Sequence, residues 1–167
     1  MSAWNKKRIL PVITKLFRDL NLVEEYDGSS MEFKIVVQKL CYLIQKIGGL
    51  DFGLKFEWLS RGPYSRSLQN YYHAMLQYLS HSSNDTSLNE AESLAISKVE
   101  DFLNTIKAAL GTLNVEILEA TASLIMLCSD VYPVPEDPVN ELLKRKGLSK
   151  EFVLRIFEVI KGYGICT

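Results

Sequence analysis

Apolar residues in this chain recur mostly three and four positions apart, the spacing that gathers side chains on one face of a helix. Ile9, Leu10, Val12, Ile13, Leu16, Phe17 and Leu20 follow it and predict a first helix from Trp4 to Leu20, with Pro11 in its first turn or at a kink. The stretch "EEYDGSS" then breaks the pattern with Asp27-Gly28 and two serines, a loop by composition. Ser29 and Glu32 have capping-box spacing ahead of Met31, Phe33, Ile35, Val36, Val37, Leu40, Cys41, Leu43, Ile44 and Ile47. That second helix is apolar nearly all round, which predicts a central position, and Gly48-Gly49 ends it.

From Leu50 the period changes. Phe52, Leu54, Phe56 and Trp58 alternate with Asp51, Gly53, Lys55 and Glu57, which predicts a half-buried strand that either pairs within the chain or presents an open edge for dimer formation. Gly62-Pro63 turns the chain, and Ser65 is placed to cap a helix carrying Leu68, Tyr71, Tyr72, Met75, Leu76 and Leu79. After the polar run "SHSSNDTS", Ser87 and Glu90 form a second possible capping box for a helix through Leu94, Ile96, Val99, Phe102, Leu103, Ile106 and Leu110, stopped by Gly111. Asn114 opens a fifth helix, Val115 to Cys128, again apolar enough to be central. "YPVPEDP" reads as a rigid connector, Asp137-Pro138 as the start of a short helix ending at Gly147, and Ser149 as the cap of a last one, Phe152 to Ile160. The expected fold is mainly α: a compact single-domain helical fold over residues 1–167, with about seven helices, one short strand or β-hairpin near residues 50–60, and a core built on the second and fifth helices.

The 167 residues, 47% hydrophobic and 23% charged, suffice to bury a core without metal or disulfide support. With 19 basic and 20 acidic side chains the net charge is -1, so no overall field draws the molecule to nucleic acid or to an anionic membrane. No apolar run has bilayer-spanning length, and Pro11, Thr14, Lys15 and Arg18 interrupt any signal-peptide core behind the basic N-terminus. Cys41, Cys128 and Cys166 lie far apart without a CxxC pattern or a neighbouring histidine. They are expected to be reduced thiols, with Cys166 exposed near the chain end, and a cytoplasmic location follows from that expectation.

Catalytic chemistry finds little support. The only histidines, His73 and His81, are not flanked by a nucleophile motif, and no phosphate-binding glycine loop is present. Glu24, Glu25 and Asp27 fall in a loop and Glu136-Asp137 at a helix start, where carboxylates favour the dipole. The expectation is no enzyme, no cofactor and no metal; a deep polar pocket around His73 or Tyr42 would reopen the question.

Two segments invite binding readings. Residues 138–161, with "ELLKRKGLSKEFVLRIF" at their centre, have the length and Gly-Leu-Ser turn of a helix-turn-helix. Candidate phosphate contacts are Lys6, Lys7 and Arg8 on the first helix with Lys144, Arg145, Lys146 and Arg155, although Lys150, Glu151, Arg155, Glu158 and Lys161 make a small, half-acidic reading surface. The second segment is "EWLSRGPYSRSL", Glu57 to Leu68, where Arg61 and Arg66 flank a rigid Gly62-Pro63-Tyr64 turn. It is either a structural corner or a partner-binding site formed by Trp58, Arg61, Tyr64 and Arg66.

The segments "VQKLCYLIQKIGG", "FEWLSRGPYSRSL" and "LNEAESLAISKVEDFL" together resemble the prokaryotic SocA-like, or Panacea-domain, antitoxins and their uncharacterised YwgA-type relatives. Gln38, Lys39, Leu40, Tyr42 and Leu43 match that group's helix, Phe56 and Trp58 its aromatic strand, and Gly62, Pro63 and Tyr64 its turn. The ordering extends over about two thirds of the chain. A late Thr-His-Pro-Trp-like element of the antitoxins has no counterpart in "TASLIMLCSDVYPVPEDP", which places the chain nearer the YwgA-type relatives. The resemblance implies a non-enzymatic prokaryotic regulatory or protein-interaction domain, antitoxin-like, with a protein partner. The alternative is a DNA-binding transcriptional regulator, and a homodimer is compatible with either.

Overall fold

The computed structural model describes residues 8–22, 30–81, 88–145 and 147–166. In chain order they form α1 (Ile9–Leu20), α2 (Met31–Lys46), β1 (Glu57–Leu59), β2 (Gly62–Tyr64), a 3-10 turn (Arg66–Tyr71) leading into α3 (Tyr72–His81), α4 (Glu90–Leu110), α5 (Val115–Ser129), α6 (Pro138–Arg145) and α7 (Lys150–Gly162). The architecture is mainly helical with one two-stranded antiparallel sheet. Helices α2 and α5 pack on each other at the centre, burying continuous stretches from Ile35 to Ile44 and from Ile117 to Leu127. Such runs have no polar face to turn outward, so both helices must be covered on most sides. Helix α1 lies against α2, α3 and α4, while α7 lies against α4, α5 and α6.

Helix starts follow short polar side chains, not always the expected ones. Ser29 and Ser87 lie outside the described residues. Ser30 caps α2 by accepting from the Phe33 amide, and Asn89 with Glu92 forms the capping box of α4. Asn114 caps α5 as expected, and the Asp137 side chain accepts from the Asn140 amide at the start of α6.

The expected strand over Phe52–Trp58 is only partly formed. Burial alternates as the sequence suggests, with Phe52 and Leu54 inside and Asp51, Gly53 and Lys55 outside. Regular pairing is limited to β1, however, because the Gln45 side chain takes the place of a neighbouring strand. Its Oε1 accepts from the Phe52 and Leu54 amides, both at 3.1 Å, and its Nε2 donates to the Leu54 carbonyl at 3.1 Å. These backbone groups are therefore satisfied within the chain and present no open edge.

The cysteines correct a second expectation. Cys128 and Cys166 form a disulfide, with Cα atoms 5.7 Å apart, and Cys166 is buried rather than exposed. The bond ties the chain end to the last turn of α5. Free thiols would have pointed to a reducing compartment, and this pair gives no such indication. Cys41 remains a thiol, and burial raises its pKa, which leaves it unreactive. No single described helix is long and apolar enough to cross a membrane.

One core-facing carboxyl is held against its usual charge state. Glu100 on α4 has a buried oxygen without a hydrogen-bond partner. Burial first, then hydrogen bonding and repulsion from the Asp19 carboxylate, push its pKa up to about 7, against relief from Lys15. The folded chain thus retains a proton that the unfolded chain loses near the ordinary glutamate value of 4.5. This contribution to stability is fully present below that value and is lost as pH rises through about 7. Glu100→Gln imitates the protonated form, so its melting temperature is expected to exceed wild type at pH ~8 and to converge with it at pH ~4. Parallel melting curves for the two proteins across that range would contradict this assignment.

Candidate functional site

The Gly-Pro segment is a tight hairpin held from within by the two central helices. Glu57 pairs with Tyr64, Trp58 with Pro63 and Leu59 with Gly62, leaving Ser60 and Arg61 at the tip. Helix α2 supplies two consecutive anchors. The Gln38 side chain accepts from the Ser65 amide at 2.8 Å and donates to the Ser65 carbonyl at 3.0 Å and to the Tyr72 hydroxyl at 2.7 Å. Lys39, 1% exposed, donates to the Pro63 carbonyl at 2.8 Å. From the other side α5 brings Ser123 against Gly62, whose φ is +93°. The second strand of the hairpin and Ser65 just after it thus make backbone hydrogen bonds to helix side chains, where an exposed segment would use water.

Trp58, Arg61, Tyr64 and Arg66 are brought together on this hairpin and its exit, but they do different things. Trp58 is half-buried and lies under the Arg145 guanidinium, 5.5 Å from the ring centroid. Tyr64 is half-buried, its hydroxyl accepting from Gln69. Arg61 and Arg66 are open to solvent, with side chains 56% and 77% exposed and loose ion-pair distances of 3.7 Å to Glu119 and Glu57. The groups that hold the fold and those that face solvent therefore lie on opposite faces of one element: its inner groups are anchored, and its tip projects outward.

Beside the tip, between the hairpin and the N-terminal half of α2, lies a groove of about 330 Å³. Ile35 and Gln38 form its floor with Tyr72, and Met31, Lys34, Leu59, Arg61 and Tyr64 its rim. Met31 and Leu59 are 58% and 38% exposed. Sequence reasoning missed the exposure of Met31 and the part-exposure of Lys34, above a buried Ile35, because a nearly all-apolar helix reads as uniformly buried. Lys34 and Ile35 lie three and four positions after Met31 and four and three before Gln38, which was the available signal of a shared stripe.

Three of the candidate phosphate contacts are engaged by carboxylates of the chain. Arg8 is bonded to Glu92 at 2.8 Å through Nε, and the guanidinium in turn holds the Glu92 carboxyl below its usual range. Arg145 reaches Glu141 at 3.1 Å as well as Trp58, and Arg155 reaches Glu151 at 2.6 Å. Lys144 is exposed, whereas Lys6, Lys7 and Lys146 lie outside the described residues. In the helix-turn-helix-like pair, α7 buries Val153, Ile156 and Ile160 and turns Phe152, Leu154, Arg155 and Glu158 outward.

A second depression, about 300 Å³, borders Tyr42, Lys46, Asp51 and Asp130. Tyr42 donates its hydroxyl proton to Asp130, and Lys46 meets the same carboxylate at 2.5 Å. Burial, then the Asp130 hydrogen bond and charge, push the Tyr42 pKa up, the opposite of what a general base requires. His73 is exposed on α3. No group of three metal-ligating side chains occurs among the described residues. Comparison with protein-family models, curated proteins and solved structures returns no match.

Proposed function

We propose that the chain is a non-enzymatic protein-interaction domain, antitoxin-like in the sense its sequence resemblance implies, that docks a partner on the outer face of the Leu59–Tyr64 hairpin tip and the adjoining α2 groove. The observation carrying this reading is the contrast between the two faces of the corner. Gln38, Lys39 and Ser123 fix its inner side, while Met31, Leu59 and Arg61 stand exposed beside a groove. A rigid element presenting apolar and guanidinium groups suits recognition, because little conformational freedom is lost on binding.

DNA binding is the less supported alternative, since Arg8, Arg145 and Arg155 are already engaged by Glu92, Glu141 and Glu151. The test is capture of a protein partner from nuclease-treated extract of the source cells by the immobilised chain. Wild type is expected to retain a discrete partner, and Leu59→Ser/Arg61→Glu to lose at least tenfold of it. Undiminished capture by that variant would move the site elsewhere, and a partner retained from untreated but not from nuclease-treated extract would favour the alternative.

A further inference from the structure

Resting on that reading, we infer that the groove between α2 and the hairpin takes a short acidic segment bearing a large apolar side chain. Charge and shape both point this way. Among the described residues lining the groove, the ionisable groups are Lys34, Lys39, Arg61, Tyr64 and Tyr72, with no carboxylate. Lys39 is committed to the Pro63 carbonyl in the floor, so Lys34 and Arg61 are the cations at the solvent side. Arg61 sits 3.7 Å from Glu119, loosely enough for an incoming carboxylate to share its donors.

Between these charges the surface is apolar. Met31 and Leu59 stand on opposite walls, α2 and the hairpin, with Ile35 beneath. A volume of about 330 Å³ accommodates one or two apolar side chains, and the high exposure of Met31 suits the open rim of a peptide groove better than an enclosed small-molecule cavity. The polarity is local. On the far side of Met31, Ile35 and Arg61 a neighbouring depression is lined by Glu32, Glu116 and Glu119. The carboxylates thus lie outside the groove, which is the part of this surface whose charge suits an acidic ligand.

Two blocked hexapeptides serve as probes, each with a central Leu-Phe pair, one flanked by acidic residues and the other by lysines. They are titrated into isotope-labelled protein and followed by amide chemical shift. The acidic probe is expected to shift residues 31–38 and 59–64, and Lys34→Glu/Arg61→Glu to weaken its affinity at least tenfold with the rest of the spectrum preserved. The basic probe is expected to leave residues 59–64 unshifted. No shifts with the acidic probe at millimolar concentration, or the same shifts with both, would overturn the inference. Capture of a partner that Leu59→Ser/Arg61→Glu abolishes, combined with a silent acidic probe, removes only the ligand chemistry and leaves the protein-interaction reading intact.

Discussion

Replacing Gly62 with alanine is expected to destabilise the protein by roughly 2–4 kcal/mol, seen as a lower urea midpoint at unchanged slope. Two separate effects contribute. A φ of +93° is accessible to glycine, but strains any residue with a Cβ by about 1 kcal/mol or more. That Cβ would also stand 2.2 Å from Ser123 Oγ and 3.2 Å from Ser123 Cβ, so rotating the hydroxyl away does not clear the space. Central helix or hairpin must then shift, and displacements in a packed interior typically cost about 1–3 kcal/mol. Adding Ser123→Gly is expected to recover the contact part, less the roughly 0.5–1 kcal/mol that glycine costs inside α5, and to leave the φ part. A Gly62→Ala protein within about 0.5 kcal/mol of wild type would show that the hairpin does not need its close approach to α5.

Loss of the disulfide is the second large effect. The bond spans a sequence separation of 38 residues and joins the end of α5 to the chain end, enclosing α6 and α7. Closing a loop of that length lowers the entropy of the unfolded chain enough to stabilise the fold by roughly 3–4 kcal/mol. Cys166→Ser is expected to lose about this amount, and reductant to lower wild type to the same level while leaving the variant unchanged. Unfolding of wild type that is insensitive to reductant would contradict the assignment.

The central helices were legible because burial on all sides leaves an unambiguous trace: few polar positions in Phe33–Ile44 or Ile117–Leu127. Local punctuation was legible too, since Gly49, Gly111 and Asn114 act through their own backbone or their nearest neighbours. What failed depended on side-chain partners that periodicity does not encode. The alternation around Phe52 does not say that Gln45, seven residues earlier, will satisfy its amide, and nothing near Cys166 places it beside Cys128. The same limit applies at the candidate site. Gln38 and Lys39 were visible as parts of a motif, but their role as anchors for Ser65 and Pro63 requires the fold. Arg145 and Trp58, assigned from sequence to rival DNA and protein surfaces, meet in one stacked contact.

The hairpin is structural on its inner face and available on its outer face, and the proposed function depends on that division. The measurement that tests it most directly is the urea stability of Leu59→Ser/Arg61→Glu, the variant used for partner capture. Both residues lie outside the anchors formed by Gln38, Lys39 and Ser123, and the lost Arg61–Glu119 pair is long and solvent-screened on the Arg61 side, so stability is expected to fall by no more than about 1 kcal/mol while capture is lost. A loss of stability as large as that expected for Gly62→Ala would contradict the division, because the hairpin tip would then be part of what holds the fold together.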